Sequence, residues 1–148
     1  ARERGAIVVA AAGNEGKEVL YPARYPEAMA VGATDAADAQ ATFSNWGPAL
    51  SVAAPGVGIQ STWLQQRYSY SSGTSMATPH VAGLAALIWS LHPDYSPSQV
   101  QRTIELTARD VNAATLPGRD ERLGFGRIDA GRALSQRIHW YHCPYVRS

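Results

Sequence analysis

The pattern of hydrophobic and polar positions along the chain predicts a sheet of buried strands. Residues 7–12, IVVAAA, form a continuous apolar run of strand length, which is typical of a parallel strand covered on both faces. We predict strands near residues 6–12, 28–33, 50–54 and 57–62, and a hairpin-like segment near residues 68–72. Helical patterns follow these strands, so the chain is predicted to be an α/β protein.

A longer apolar run in the second half of the chain predicts a buried helix. Residues 81–91, VAGLAALIWSL, are apolar nearly all round. We place this helix at residues 75–91, with Pro79 in its first turn, where a missing N–H costs little. Residues 96–99, SPSQ, are typical of a capping box that opens a second helix, and a short last helix is expected at residues 129–136.

Composition narrows the class of protein. Apolar residues make up 45% and charged residues 17% of the 148 positions, and the formal net charge is +1. The chain lacks the excess of basic residues that is typical of nucleic-acid-binding proteins, so no nucleic-acid partner is predicted. No apolar run approaches the roughly 20 residues of a membrane span, so no membrane partner is predicted. The single cysteine, Cys143, allows no internal disulfide, and the scattered histidines form no ligand cluster for a metal.

Two polar residues stand where the predicted elements begin or end. Ser75 opens the buried helix, where unpaired backbone N–H groups and the positive end of the helix dipole favour a hydroxyl whose attack creates an oxyanion. Asn14 follows the first strand at its carboxyl end, where open α/β sheets place their ligands. Its side-chain amide can donate a hydrogen bond to a developing oxyanion.

Single residues argue against three other interpretations of these two segments and of the N-terminal residues. A phosphate-binding loop requires glycine where Ala11 stands, and the nucleophile elbow of α/β-hydrolases requires glycine where Ala77 stands. Arg2 and Arg4, followed by a short apolar run, suggest a signal peptide, but Glu3 between them argues against it.

The sequence resembles one family, the subtilisin-like serine proteases. Residues 73–83, GTSMATPHVAG, resemble the family's nucleophile signature, and residues 11–14, AAGN, are similar to its oxyanion-hole segment. Other family landmarks follow in the family's order at residues 21–26 (YPARYP), 30–35 (AVGATD), 43–48 (FSNWGP) and 53–56 (AAPG). The resemblance, over roughly residues 5–135, implies the C-terminal half of a three-layer parallel-sheet fold with a buried helix after the nucleophile.

The resemblance implies a role for each matching residue. Ser75 would attack the scissile carbonyl of a polypeptide substrate to give an acyl-enzyme. The Ser75 backbone N–H and the Asn14 side chain would bind the oxyanion. The pocket for the residue that precedes the scissile bond would be lined by Ala11, Ala12 and Gly13. Glu15 would lie at the rim of this pocket, which suggests a mild preference for a basic or polar side chain.

The chain departs from the family in its histidines. The family's triad Asp and His precede the oxyanion Asn, whereas here no histidine precedes His80. His80 would point about 140° away from Ser75 around the helix, and His92 would lie about 25 Å away at the far end. His139 and His142 fall in an aromatic tail outside the resemblance. We therefore expect the chain to lack a base for Ser75 and to be inactive alone.

The aspartates do not supply a replacement in the predicted fold. Asp35 and Asp38 lie in a predicted surface loop, and Asp94 lies in a turn between helices. Asp129 is expected to cap the last helix. All four are interpreted as solvated or capping carboxylates.

The predicted organisation is a peptidase part at residues 1–136 and a tail of unknown role at residues 137–148. The resemblance implies an extracellular location and, as partner, an N-terminal half that carries Asp and His. Without that half, the first strand would present an unpaired edge and the helix after Ser75 would lose packing surface. No cofactor is predicted, and Ca²⁺ is the one ion that the resemblance suggests, at a carbonyl site near Ala23 and Tyr25.

Three interpretations of the function are compatible with the sequence. The first is the C-terminal part of a subtilisin-like endopeptidase with latent chemistry at Ser75. The second is a non-catalytic pseudo-protease that serves as a binding module. The third is an unrelated α/β protein that carries the motif by chance.

Overall fold

A computed structural model describes residues 1–135 and 138. The elements are, in chain order, β1 (Val8–Ala11), β2 (Ala28–Thr34), β3 (Leu50–Pro55), β4 (Ile59–Trp63), β5 (Arg67–Ser71), α1 (Thr74–Leu91), α2 (Pro97–Thr107) and α3 (Ala130–Ser135). The predicted tail, with His139, His142 and Cys143, lies outside the described residues apart from Ile138.

The first three strands form a parallel sheet in the order β1-β2-β3, as the apolar runs predict. The outer edge of β3 is covered by a later segment, in which Phe125 N–H donates to the Ser51 carbonyl (2.8 Å) and Ile128 N–H donates to the Ala53 carbonyl (2.9 Å). Within the described residues nothing pairs with the outer edge of β1. The expected unpaired edge is therefore present.

The predicted hairpin-like segment is confirmed by the other two strands. β4 and β5 pair antiparallel, with Ile59 opposite Ser71 at the base and Trp63 opposite Arg67 at the tip. This ribbon is separate from the parallel sheet. It leads directly into α1, so the nucleophile signature begins where the ribbon ends.

The hydrophobic core lies between the sheet and α1. Met29, Val31 and Val52 project from the sheet and pack with Val81 and Ile88 of α1. The helices α2 and α3 pack on the same side, against α1. The opposite sheet face is covered by a loop of residues 12–27 rather than by a helix in the described chain. The predicted α/β fold with a parallel sheet is thus confirmed.

Helix α2 begins as its sequence predicts. Ser96 Oγ accepts the Gln99 N–H at 3.3 Å, and Gln99 Oε1 accepts the Ser96 N–H at 2.8 Å. Pro97 occupies the first helical position, where its missing N–H has no intrahelical partner to lose. The capping box is therefore confirmed.

Helix α1 is buried along one face only. Its buried residues are Thr74, Ala77, Val81, Leu84, Ala85 and Ile88. Leu87 and Leu91 on the other side are 52% and 55% exposed. The prediction for Pro79 was wrong, because the helix starts at Thr74 and Pro79 therefore lies in its second turn. There the proline leaves the Ser75 carbonyl without the N–H donor that residue 79 would otherwise supply.

The exposed face of α1 leads to a prediction about self-association. Leu87→Gln combined with Leu91→Gln should raise the concentration at which the chain self-associates by about tenfold, because two half-exposed leucines no longer drive apolar contact. Sedimentation velocity over a concentration series measures this. Leu106→Gln with Leu116→Gln, at exposed sites elsewhere, is the matched control and should change little. An unsubstituted chain that stays monomeric at every concentration and melts cooperatively would contradict the expectation.

Candidate active site

The start of α1 is tied to the end of β1 by hydrogen bonds that cross 60 residues of chain. Asn14 Oδ1 accepts the Thr74 N–H at 2.8 Å and the Thr74 hydroxyl at 2.9 Å. Thr74 Oγ1 in turn accepts the Gly13 N–H at 3.2 Å. Asn14 therefore caps α1 from a distant part of the chain, a task that Gly73, with no side chain, cannot perform.

These bonds fix the orientation of the Asn14 side chain. Because two donors of Thr74 occupy Oδ1, the amide nitrogen Nδ2 is the atom left to act as a donor. A Cβ at Gly73 would lie 3.4 Å from Nδ2, so the amide rests against bare backbone at that position. Sequence reasoning singled out Asn14 and missed Thr74 as its positioning residue, although Thr74 directly precedes Ser75.

The N–H groups of the first turn of α1 have hydrogen-bond acceptors, with one exception. Thr74 donates to Asn14, and Met76 and Ala77 both donate to the Gly73 carbonyl, at 3.0 and 3.3 Å. The Ser75 N–H has no acceptor among the described residues. It lies at the positive end of the α1 dipole and is available to an anionic oxygen.

The Ser75 hydroxyl is exposed, and no described side chain forms a hydrogen bond with it. The His80 ring instead lies 3.0 Å from the Met76 carbonyl through Nδ1. His92 stacks on the ring of Tyr95, with centroids 4.4 Å apart. In the described part of the chain, neither of these histidines forms a hydrogen bond with Ser75.

The aspartates have structural tasks. Asp35 accepts the N–H groups of Ala37 and Ala39 at 2.9 and 3.0 Å and so closes its own turn. Asp129 accepts the Arg132 N–H at 2.9 Å, which confirms it as the cap of α3.

The surroundings of Asp38 differ from the prediction, whereas those of Asp94 agree with it. Asp38 forms an ion pair with Arg127 at 2.7 Å, so the prediction of a merely solvated carboxylate was wrong there. Asp94 is exposed, as predicted.

The loop that follows Asn14 is built around the side chain of Asn45, which is fully buried. Its Oδ1 accepts the N–H groups of Glu15 and Lys17, at 2.9 and 3.1 Å. Its Nδ2 donates to the carbonyls of Ala12 and Glu18, at 3.2 and 3.0 Å, and to the Glu15 carboxylate, at 2.8 Å. One amide thereby fixes both ends of the loop. Sequence reasoning missed Asn45, which lies within the FSNWGP landmark.

The proposed pocket lining is backbone held by this network. Ala12 is buried, Ala11 and Gly13 are half-buried, and Glu15 is exposed. Gly13 has a φ of +110°, and a Cβ there would collide with the Asn45 amide. Glycine is therefore required at this position for both conformation and space.

The loop near Ala23 and Tyr25 offers a poor donor set for Ca²⁺. The Tyr25 carbonyl already accepts the Ala28 N–H at 2.9 Å. Among the described residues, no group of three or more His, Cys, Asp or Glu side chains is placed to hold a metal ion. Ca²⁺ takes about six to eight oxygen ligands, carboxylates among them, so the residues present do not fit a tightly held ion.

Over residues 1–135 and 138, no helix has both the length and the apolar character needed to cross a membrane.

The network around Asn45 leads to a prediction about stability. Asn45→Ala removes five hydrogen bonds at a buried site and should lower the free energy of unfolding by about 3 kcal/mol or more. Urea unfolding, followed by circular dichroism in the Leu87→Gln/Leu91→Gln background, measures the change. Asn112→Ala, which removes one side-chain bond to Asp120, is the control and should cost about 1 kcal/mol. Equal costs for the two variants would contradict the central position of Asn45.

The model of the subtilase family matches residues 1–126. The chain is 46% identical over 134 residues to a thermostable alkaline protease of Halalkalibacterium halodurans, covering 90% of this chain and 36% of the relative. It is 48% identical over 119 residues to subtilisin BL of Lederbergia lenta, covering 80% of this chain and 44% of the relative.

A solved structure shows the same likeness. The structure of the prenylagaramide maturation protease PagA superposes with a TM-score of 0.80 at 34% identity, over 89% of this chain and 50% of that chain. The chain thus spans half or less of the length of these relatives. Since the family model matches most of its residues, the chain belongs to the subtilase family.

Proposed function

We propose that the chain is the nucleophile-bearing part of a subtilisin-like serine endopeptidase that cleaves polypeptides through an acyl-enzyme at Ser75. The observation that carries this proposal is the pair of unoccupied donors at the start of α1. The Ser75 N–H lacks an acceptor in the described chain, and the bonds from Thr74 leave Asn14 Nδ2 free to donate. Two donors left unpaired near the start of the helix that carries Ser75 fit the stabilisation of an oxyanion.

The proposed chemistry follows from this arrangement. Ser75 Oγ attacks the scissile carbonyl carbon and loses its proton to a base, while the carbonyl oxygen becomes an oxyanion held by the Ser75 N–H and Asn14 Nδ2. The intermediate collapses, the amine leaves with the proton, and water releases the acyl group by the same steps. The base lies outside the described residues, so proton transfer depends on another part of the protein.

We infer that this other part is an N-terminal half of the domain that carries the Asp and His. Two features of the described chain support the inference. The outer edge of β1 has unpaired backbone groups among the described residues, and α1 exposes Leu87 and Leu91. A further parallel strand and an apolar layer would cover both. The share of the relatives that the chain spans, half or less, leaves room for such a half.

The domain organisation and the location extend the same proposal. Residues 1–136 would form the peptidase part, and residues 137–148 would form a tail of unknown role. We infer an extracellular location from the resemblance to subtilisin-like proteases alone.

A second candidate function is a non-catalytic binding module. It is favoured by one observation, namely that no described side chain forms a hydrogen bond with the Ser75 hydroxyl. In this case, the same half-domain would complete the fold without activating the serine. The two candidates therefore differ in the reactivity of Ser75 after the missing half has been added.

A serine-directed fluorophosphonate probe separates the two candidates. The chain alone should show no labelling above background. With an N-terminal half from a similar subtilisin, labelling at Ser75 should accelerate by at least about 100-fold, since a positioned base contributes about 10²–10⁴-fold. Gel fluorescence and mass mapping of the labelled peptide measure this, with Ser75→Ala as the control. A folded complex that remains unlabelled would contradict the endopeptidase and support the binding module.

The position of Glu15 leads to a prediction about specificity. Its carboxylate is exposed and is held at 2.8 Å by Asn45, at the rim of the proposed pocket. The substrates are two peptides that differ only in the residue before the scissile bond, which is Lys in one and Phe in the other. In the complemented enzyme, Glu15→Gln should lower kcat/KM for the Lys peptide, relative to kcat/KM for the Phe peptide, by about threefold to fivefold. Glu18→Gln, whose carboxylate pairs with Arg24 at 3.2 Å, is the matched control. Equal ratios in the parent and the Glu15 variant would rule out the contact.

A further inference from the structure

The β4–β5 hairpin exposes an aromatic face that the proposed chemistry does not use. Cross-strand pairing places Gln60 opposite Tyr70 and Thr62 opposite Tyr68, so these four side chains share one side of the ribbon. We call this side the tyrosine face. Tyr68 and Tyr70 are 71% and 68% exposed, and Gln60 and Thr62 are exposed as well. The body of the protein therefore leaves this face open to solvent.

The opposite side of the ribbon has a different environment. On that side Ile59, Ser69 and Ser71 are half-buried, whereas Ser61, Trp63 and Arg67 nearer the tip are exposed. The tyrosines thus lie on the outward side. Large aromatic side chains are costly to leave in water, and a ribbon exposed in this way is typical of a binding surface.

The tip of the hairpin holds the two strands in register at a conformational cost. Gln65 and Gln66 both adopt left-handed backbone conformations, with φ of 58° and 57°. These values are uncommon for residues other than glycine, asparagine and aspartate. The turn keeps the strands paired as far as Trp63 and Arg67, so Tyr68 is held at a fixed position near the end of the ribbon. Strained backbone of this kind clusters at functional sites.

The ribbon is continuous with the candidate active site. At its base the Gly73 N–H donates to the Gly56 carbonyl at 2.8 Å, and the Gly58 N–H donates to Ser72 Oγ at 2.9 Å. Ser75 follows the end of β5 by four residues. The strand itself spans about 13 Å from its first residue to its last. An extended polypeptide held at Ser75 therefore reaches the tyrosine face within several residues of the scissile bond.

On the basis of the proposed function, we propose that the tyrosine face is an exosite that binds an extended, apolar segment of the polypeptide substrate away from the scissile bond. Tyr68 and Tyr70 are two residues apart on one face, which places them about 7 Å apart. This is also the spacing of alternate side chains in an extended peptide. Arg67 is the only charged residue between positions 57 and 75, so the surroundings suit neutral, apolar side chains.

A binding experiment tests the exosite independently of catalysis. The probes are two fluorescein-labelled peptides of about 12 residues and identical composition, one with Leu and Ser alternating and one with its leucines grouped. Anisotropy is measured against the full chain with Ser75→Ala. The alternating peptide should bind about tenfold more tightly than the grouped one, and Tyr68→Thr/Tyr70→Thr should abolish this difference. Thr keeps the β-propensity of the strand, and Tyr68→Phe/Tyr70→Phe should retain binding.

A matched control and a second measurement complete the test. Tyr21 and Tyr25 form another exposed tyrosine pair, with ring centroids 4.6 Å apart, and Tyr21→Thr/Tyr25→Thr should leave binding of the alternating peptide unchanged. In the complemented enzyme, the hairpin variant Tyr68→Thr/Tyr70→Thr should lower kcat/KM for casein by about tenfold. It should leave kcat/KM for a tetrapeptide p-nitroanilide unchanged. Absence of tetrapeptide cleavage counts against the proposed function, whereas the anisotropy result still decides on the exosite.

The exosite is overturned by any of three results. The first is equal affinity of the chain for the two peptides, and the second is unchanged peptide binding by the Tyr68→Thr/Tyr70→Thr variant. The third is a variant whose self-association changes while its peptide binding does not. The last result would assign the tyrosine face to contacts between copies of this chain.

Discussion

The hydrogen bonds between Asn14 and Thr74 are the constraint on which the candidate site depends. They join the end of β1 to the start of α1, and both elements are anchored in the core between the sheet and the helix. The position of Ser75 relative to the Asn14 amide is therefore set by the packing of residues such as Val81 rather than by a flexible loop. A displacement of α1 along the sheet would separate the two proposed oxyanion donors and uncap the helix together.

The buried amide of Asn45 extends this constraint into the loop after Asn14. Its oxygen and nitrogen both have partners, and a complete polar network stabilises a single conformation, whereas a partial one would leave unpaired groups. The candidate site is therefore ordered only at its proposed oxyanion donors. The proposed oxyanion donors have no other partner among the described residues, and no described side chain forms a hydrogen bond with the Ser75 hydroxyl.

The sequence predicts those features whose causes are local. The capping box at Ser96, the strands and the position of Ser75 near a helix start all follow from neighbouring residues. The start of α1 at Thr74 does not, because its cap comes from Asn14, far away in the chain. The same reason hides Asn45, whose partners lie about 30 residues before it. A helix that is apolar all round is predicted to be buried, but periodicity cannot show which layer covers its second face.

The two exposed apolar surfaces differ in chemistry, and this difference separates their proposed roles. Leu87 and Leu91 are aliphatic and belong to a helix without a polar face, so their exposure leaves α1 without the cover that such helices have in folded proteins. Tyr68 and Tyr70 carry hydroxyl groups and alternate with serines on a ribbon whose partner strand presents Gln60 and Thr62. Such a surface tolerates water and still offers aromatic rings to a ligand. The first surface is suited to permanent burial within a larger domain, and the second to reversible contact with a substrate.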